Sequence, residues 1–368
     1  MSHEPNLSLA RQSNVPDRSK GLIIIAGPCS AESEEQVMQT ALALDKIPEV
    51  TVFRAGVWKP RTRPNSFEGV GVEGLQWLQK VKEHTGLATA VEVANAGHVS
   101  EALKFGVDLL WVGARTSANP FSVQEIADAL RGADVPVWVK NPVNPDLQLW
   151  IGALERLNQA GITRLGAIHR GFTTYERTAY RNAPKWQIPI ELKRLAPDLP
   201  IICDPSHIAG RPQYLQEVSQ KALDLTMSGL MIETHIDPQN ALSDAGQQIQ
   251  PAALRELLNS LRIRKVENGS GASDELVRLR QESNAIDYEM LELMARRMQV
   301  VKKIGSFKKK HDMTILQVQR WKHVIEDRLE KARELGLEEK FVQDIYEILH
   351  SYAIKIQSQV MNESLSKS

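Results

Sequence analysis

The stretch LIIIAG (residues 22–27) is short, unbroken in apolar residues and closed by a glycine. A strand wet on one face alternates apolar with polar residues. A run without alternation reads as a strand covered on both faces, as in a parallel sheet with helices outside it. Seven further runs follow, mostly continuous in apolar residues rather than alternating: VTVFRAG (50–56), LATAVEVA (87–94), LLWVGA (109–114), VPVWVK (135–140), LGAIHR (165–170), LPIICD (199–204) and GLMIETH (229–235). Amphipathic segments such as EEQVMQTALALDKI (34–47) and PFSVQEIADALRG (120–132) lie between them. Eight βα units in about 245 residues predict an α/β TIM (β/α)₈ barrel. An open doubly wound sheet is the alternative, but it would carry a Gly-rich dinucleotide turn after its first strand, and none is present.

A chain of 368 residues exceeds the size at which one core stops growing, so a second domain is expected. It begins where the composition changes. ENGSGASDE (267–275) is small and polar, and beyond it the chain is nearly free of proline and glycine and rich in Glu, Lys, Arg, Leu and Met. The expected division is an extension over 1–20, a barrel over 21–264, a linker over 265–273, a three-helix domain over 274–363 and a tail over 364–368. Ser273 or Asp274 caps a first helix running to about residue 310, about 54 Å long at 1.5 Å per residue. A second helix spans roughly 316–334 and stops at Gly336; a third spans about 338–361. A first helix of that length cannot bury its apolar stripe on two shorter partners, so a homodimer through this domain, or a higher oligomer, is expected.

Lys+Arg and Asp+Glu are both 45, which gives no reason to expect a nucleic acid or an anionic membrane as partner. Two cysteines, Cys29 and Cys203, are too few for a disulfide scaffold. The first twenty residues hold no apolar core of signal-peptide length, and no stretch reaches the roughly 18 apolar residues of a membrane helix. The expected location is cytoplasmic.

In a (β/α)₈ barrel, chemistry gathers at the C-terminal ends of the strands. Here those ends carry Cys29, Arg54, Glu92, Arg115, Lys140, Arg170, His207 (just beyond Asp204) and Glu233. A single charge at a strand end is ordinarily a solvated rim residue; a full ring of them, mostly cationic, requires bound anions. Two sets separate by chemistry. Cys29, His207, Glu233 and Asp244 offer a thiolate, an imidazole and two carboxylates, a set suited to a divalent transition metal. Arg54, Lys59, Arg61, Arg115, Lys140 and Arg170 exceed the needs of one monoanion and suit two phosphorylated substrates, or a phosphate with a carboxylate. Cys203, inside a strand, is expected in the core.

GPCSAES (27–33), FRAGVWKPRTRPNSFEG (53–69), VGARTSANP (112–120), CDPSHIAGR (203–211) and GLMIETHIDPQNALSDAGQQ (229–248) resemble the type I-beta 3-deoxy-D-arabino-heptulosonate 7-phosphate (DAHP) synthases. The resemblance covers nearly all of residues 15–264 and rests on long, ordered motifs. It implies condensation of phosphoenolpyruvate with erythrose 4-phosphate on a divalent ion of the Mn, Fe, Co or Zn class. By it, Cys29, His207, Glu233 and Asp244 are the metal ligands. Arg115, Lys140 and Arg170 meet the phosphate and carboxylate of phosphoenolpyruvate, with Arg54 and Lys59 beside them. Lys59, Pro60, Arg61 and Thr62 bind erythrose 4-phosphate; 3-deoxy-D-manno-octulosonate 8-phosphate synthases usually carry an asparagine-containing version of that segment. Lys140 and Glu92 are the candidates for handling protons.

On the first helix of the second domain, Arg297 and Lys308 stand eleven residues apart. They therefore point the same way within about 20° and lie some 16 Å apart along the axis. The expected apolar surroundings are Met290, Met294, Val301 and Ile304. Arg280 lies about 25 Å away, within reach only of a partner chain's site. The segment LVRLRQESNAIDYEMLELMARRMQVVKKIGSFKK (276–309), continued through ILQVQRW (315–321) to Gln357, resembles the all-helical chorismate mutases. The resemblance implies that Arg280 (from the other subunit), Arg297 and Lys308 hold chorismate, that Arg320 lines the pocket, and that Gln357 bonds the ether oxygen. Trp321 and Gln317 depart from the acidic residues common there. Rearrangement of chorismate to prephenate, with feedback of either compound on the barrel, is the expected second activity. The alternative is a single-activity synthase whose helical domain is a dimerising ligand sensor.

Overall fold

A computed structural model describes residues 5, 7–8, 21–59, 67–175, 178–264 and 274–362. Eight parallel strands close into a barrel in chain order. They are β1 (Ile23–Gly27), β2 (Val50–Arg54), β3 (Ala88–Val93), β4 (Leu109–Val112), β5 (Val137–Lys140), β6 (Leu165–His169), β7 (Ile201–Cys203) and β8 (Gly229–Glu233), with β8 pairing back onto β1. Each lies within the run expected for it. The closed sheet with its outer helices is the TIM barrel expected from the apolar runs, and C-terminal helices follow it.

The two-residue period of a strand sorts its side chains into two cores. One set, including Ile24, Phe53, Val91, Leu110, Val139 and Cys203, packs outward with the helices. The other fills the barrel: Ile23, Ile25, Val52, Ala90, Leu109, Trp111, Trp138, Ile168, Ile202 and Met231. Two residues further along each strand, on the same inner side, come Gly27, Arg54, Glu92, Gly113, Lys140, Arg170, Asp204 and Glu233. The mouth is therefore the next layer of the barrel's own register, resting on an apolar floor.

The chain divides into two compact units, residues 1–266 and residues 267–368. The described residues of the second unit form three helices, Asp274–Lys310, Val318–Glu334 and Glu339–Asn362. Gly336, at φ 70°, turns the chain between the last two. The core is small: Val301, Ala353 and Ile356 are buried together, with Met298 against them. The inward stripe of the long helix is thus Met298, Val301, Gly305 and Lys308. Met290, Met294 and Ile304, expected to face inward, are exposed in the single chain. So are Val277, Leu279, Ile286, Leu291 and Leu293, because the first half of this helix runs past the ends of its partners' cover. Among the described residues, no helix is long and apolar enough to cross a membrane.

Candidate functional site

The loop after β1 carries Cys29, and the loop after β8 carries Asp244; the barrel closure brings these distant segments together. The donor atoms of Cys29, Glu233 and Asp244 all lie within 4.8 Å of one another. His207 joins them from the short helix Pro205–Ala209, with Nε2 3.9 Å from Glu233 Oε1. Asp204 caps that helix, accepting a bond from the His207 backbone N–H at 3.0 Å through Oδ1. Its Oδ2 lies 2.8 Å from His207 Nδ1 and 2.8 Å from Lys140 Nζ. A ring held by a carboxylate on its Nδ1 side presents Nε2 outward, the arrangement that orients a ligating histidine. Asp244 itself sits in the left-handed region at φ 48°, a conformation costing a non-glycine residue about 1–3 kcal/mol. One sulfur and two carboxylate donors in one cluster, with an imidazole nitrogen approaching it beside Glu233, are a donor set that fits a divalent transition-metal ion.

Cations surround these donors. Lys59 Nζ lies 3.0 Å from Cys29 Sγ and donates to the Cys29 carbonyl at 2.9 Å. Arg54 is buried, giving Nη1 to Glu233 Oε1 at 3.1 Å and Nη2 to the Cys29 carbonyl at 3.1 Å. Gln247 donates to Glu233 Oε2 at 2.6 Å, and Arg181 to Asp244 Oδ1 at 3.1 Å. Burial, reinforced by Glu233, pushes the Cys29 thiol up to about 11, against the pull of Lys59. Burial raises Asp244 less than Arg181, His207 and Lys59 lower it, which leaves it at about 2. For Lys59, burial opposes the charge, but Cys29 and Glu233 outweigh it and its pKa is raised. A cation bound among these donors would replace part of this internal neutralisation and hold Cys29 as thiolate.

Arg170 bonds Asn182 Oδ1 at 3.0 Å, and burial together with the neighbouring Arg181 and Arg115 lowers it to about 10. Arg115 lies exposed in the short helix Ala114–Ser117. Glu92 accepts a bond from Trp111 Nε1 at 3.0 Å. Pro60, Arg61 and Thr62 lie outside the described residues. The barrel therefore gathers Cys29, Arg54, Lys59, Glu92, Lys140, Arg170, His207, Glu233 and Asp244 at one end. Asp204, Gln247, Arg181 and Asn182 were not singled out from sequence; only the two-residue period places Asp204 in the inner layer, and the others come from loops.

In the helical unit, Lys308 is buried and donates to the Ile315 carbonyl at 2.5 Å. Half-buried Arg297 reaches the Leu349 carbonyl at 3.5 Å. Gln357 is buried with Oε1 lacking a hydrogen-bond partner among the described residues. Its helix comes so close to the long one that a Cβ on Gly305 would stand 3.3 Å from Gln357 Cα. Trp321 stacks on His350, ring centroids 3.8 Å apart and 14° between planes. Burial first, then Arg297 and Lys308, lowers the His350 pKa, so this imidazole lies within the field of both cations. Arg280, Arg320 and Gln317 are exposed in the single chain, Arg280 on the uncovered half of the long helix.

Fold and site together define a TIM-barrel protein with a cluster of metal-type donors and cations at its mouth, followed by a helical second unit. The chain belongs to the DAHP synthetase I family, which matches residues 15–266, and its residues 279–358 match chorismate mutase type II. It carries a DAHP synthase (transferase) domain and a chorismate mutase (isomerase) domain. The phospho-2-dehydro-3-deoxyheptonate aldolase of Thermotoga maritima is 30% identical over 239 residues, 65% of this chain and 68% of that protein. A 2-dehydro-3-deoxyphosphooctonate aldolase of Koribacter versatilis is 29% identical over 278 residues, 68% of this chain and 94% of that one. The crystal structure of the Thermotoga maritima DAHP synthase aligns with a TM-score of 0.59 at 29% identity, covering 65% of this chain and 67% of its own.

Proposed function

We propose that the barrel condenses phosphoenolpyruvate with D-erythrose 4-phosphate to DAHP and phosphate, and that the helical unit rearranges chorismate to prephenate. The observation that carries the first reading is the convergence of Cys29, His207, Glu233 and Asp244 beside Lys59, Lys140 and Arg170. Those four residues would hold a divalent ion, which when bound supplies Lewis-acid polarisation of the aldehyde. Arg115, Lys140 and Arg170 hold the phosphate and carboxylate of phosphoenolpyruvate. Arg54 braces Glu233 and the Cys29 loop beside them. Lys59, Pro60, Arg61 and Thr62 take the four-carbon sugar phosphate. C3 of phosphoenolpyruvate attacks the aldehyde carbon, water adds at C2, and phosphate leaves into the arginines, which stabilise its growing charge. Lys140 and Glu92 hold and pass the proton of that water.

In the helical unit, Arg297, Lys308 and Arg320, with Arg280 from a second copy, hold the two carboxylates of chorismate. Gln357 meets the ether oxygen with Lys308, so charge is stabilised as the C–O bond breaks. This requires a homodimer. Prephenate or chorismate bound there also inhibits the barrel in this reading, which suits a cytoplasmic enzyme placed early in the route that makes them. The test assays both reactions on the purified chain, with and without chelator, then repeats the synthase assay with prephenate. Chelation should abolish DAHP formation until Mn²⁺ is restored and leave the mutase reaction intact. Full synthase activity without metal sinks the barrel reading; no prephenate formation leaves the helical unit a ligand sensor only.

A further inference from the structure

Two tryptophans fill the floor of the barrel in register, Trp111 on β4 opposite Trp138 on β5. Both are fully buried. They differ in what they touch. Trp138 packs over Gly166, where any Cβ would stand 2.5 Å from its ring, and its Nε1 has no hydrogen-bond partner among the described residues. Trp111 directs Nε1 upward to Glu92 Oε2 at 3.0 Å. Its ring also lies under two cations of the mouth layer, 5.1 Å from Arg54 Cζ and 5.7 Å from Lys140 Nζ.

We infer that Trp111 is a positioning residue for the condensation, setting the Glu92 carboxylate with its N–H and seating Lys140 and Arg54 with its face. The physical case has two parts. The half-buried Glu92 carboxylate without its donor loses a bond that fixes its direction, and an N–H to an ionised acceptor is among the stronger hydrogen bonds. A desolvated cation over an indole face gains more than an exposed one, so the ring adds to the hold that Glu233 has on Arg54 and Asp204 has on Lys140. Lys140 and Glu92 are the pair assigned above to proton handling, and this inference rests on that reading.

The two functions separate by substitution. Trp111→Phe keeps an aromatic face and removes the N–H along with part of the ring's volume; it should lower kcat for DAHP formation about tenfold and leave KM for phosphoenolpyruvate within about twofold. Trp111→Leu removes the face as well and should also raise KM at least fivefold, because Lys140 and Arg54 lose the surface that fixes them beside Asp204 and Glu233. Trp138→Phe is the control: the same loss of volume in the same layer, with no bond to the mouth, and kcat and KM within twofold of the parent. Circular dichroism and melting of each full-length variant show that the comparison is between folded chains. If Trp111→Phe matches Trp138→Phe in both constants, or changes KM and not kcat, the assignment is overturned. Failure of the parent chain to form DAHP would instead overturn the reading of the barrel.

Discussion

A methyl group on Gly113 would stand 2.2 Å from Glu92 Oε1, so the carboxylate occupies the space a side chain would take on the neighbouring strand. Gly113→Ala must turn Glu92 away from Trp111. Because misplacement of a reacting group by about 1 Å can cost 10²-fold, the expected loss in kcat/KM of DAHP formation is about that size, measured with melting temperature as control. A second residue reports on stability. His169 is fully buried in β6 among Trp150, Phe172 and Trp186. Burial, with Arg170 beside it, lowers its pKa from 6.5 to about 3. The folded chain keeps the ring neutral while the unfolded chain protonates it, so its contribution is complete above pH 6.5 and declines as pH falls toward 3. Between pH 6.5 and 5 that decline is about 2 kcal/mol. His169→Phe suits the aromatic surroundings and should flatten the slope of denaturant-measured stability in this window. An unchanged slope would mean that another group carries it.

At the scale of elements, the two periods of secondary structure decide which residues meet. Six of the barrel strands place a charged residue two positions beyond an apolar floor residue, while β1 and β4 place Gly27 and Gly113 there and carry Cys29 and Arg115 two residues further on. The helical unit is less forgiving. The long helix is apolar on more than one face, and packing against the last helix selects the stripe of Met298, Val301, Gly305 and Lys308. Gly305 permits that approach, with Gln357 Cα and Cγ both 3.3 Å from where a Cβ would lie. Gly305→Val should push Gln357 away from Lys308 and lower mutase kcat/KM by on the order of 10²-fold. Circular dichroism should show helix retained. Wild-type mutase turnover in this variant would remove Gln357 from the site.

At the scale of the molecule, the apolar residues left uncovered on the long helix call for a partner. Val277, Leu279, Ile286, Met290, Leu293 and Met294 are all exposed in the single chain. Burying them against a second copy would supply the hydrophobic area that a core of Val301, Ala353 and Ile356 does not. Sedimentation should find a dimer or larger assembly. Ile286→Asp with Leu293→Asp, seven residues apart on one face, should reduce it to monomers and lower mutase activity with it, since Arg280 would lose its partner site. A monomeric parent chain with full mutase activity would contradict this.

Eight mostly continuous apolar runs sufficed for the barrel, because strands covered on both sides carry no strict alternation. Arg54, Glu92, Lys140, Arg170 and Glu233 stand at or near the ends of their runs, whereas Cys29, Arg115 and His207 lie just beyond theirs. The change of composition after residue 264 likewise marked the start of the helices. What needed the tertiary structure was every relation across the barrel. Cys29 and Asp244 are 215 residues apart, yet Sγ and Oδ2 are separated by 3.5 Å. The bridging of His207 and Lys140 by Asp204, the bracing of Glu233 by Arg54 and Gln247, and the seat that Trp111 offers Glu92 are distances between strands. A one-dimensional pattern carries the period within an element, but closure of the sheet decides which neighbours share a carboxylate.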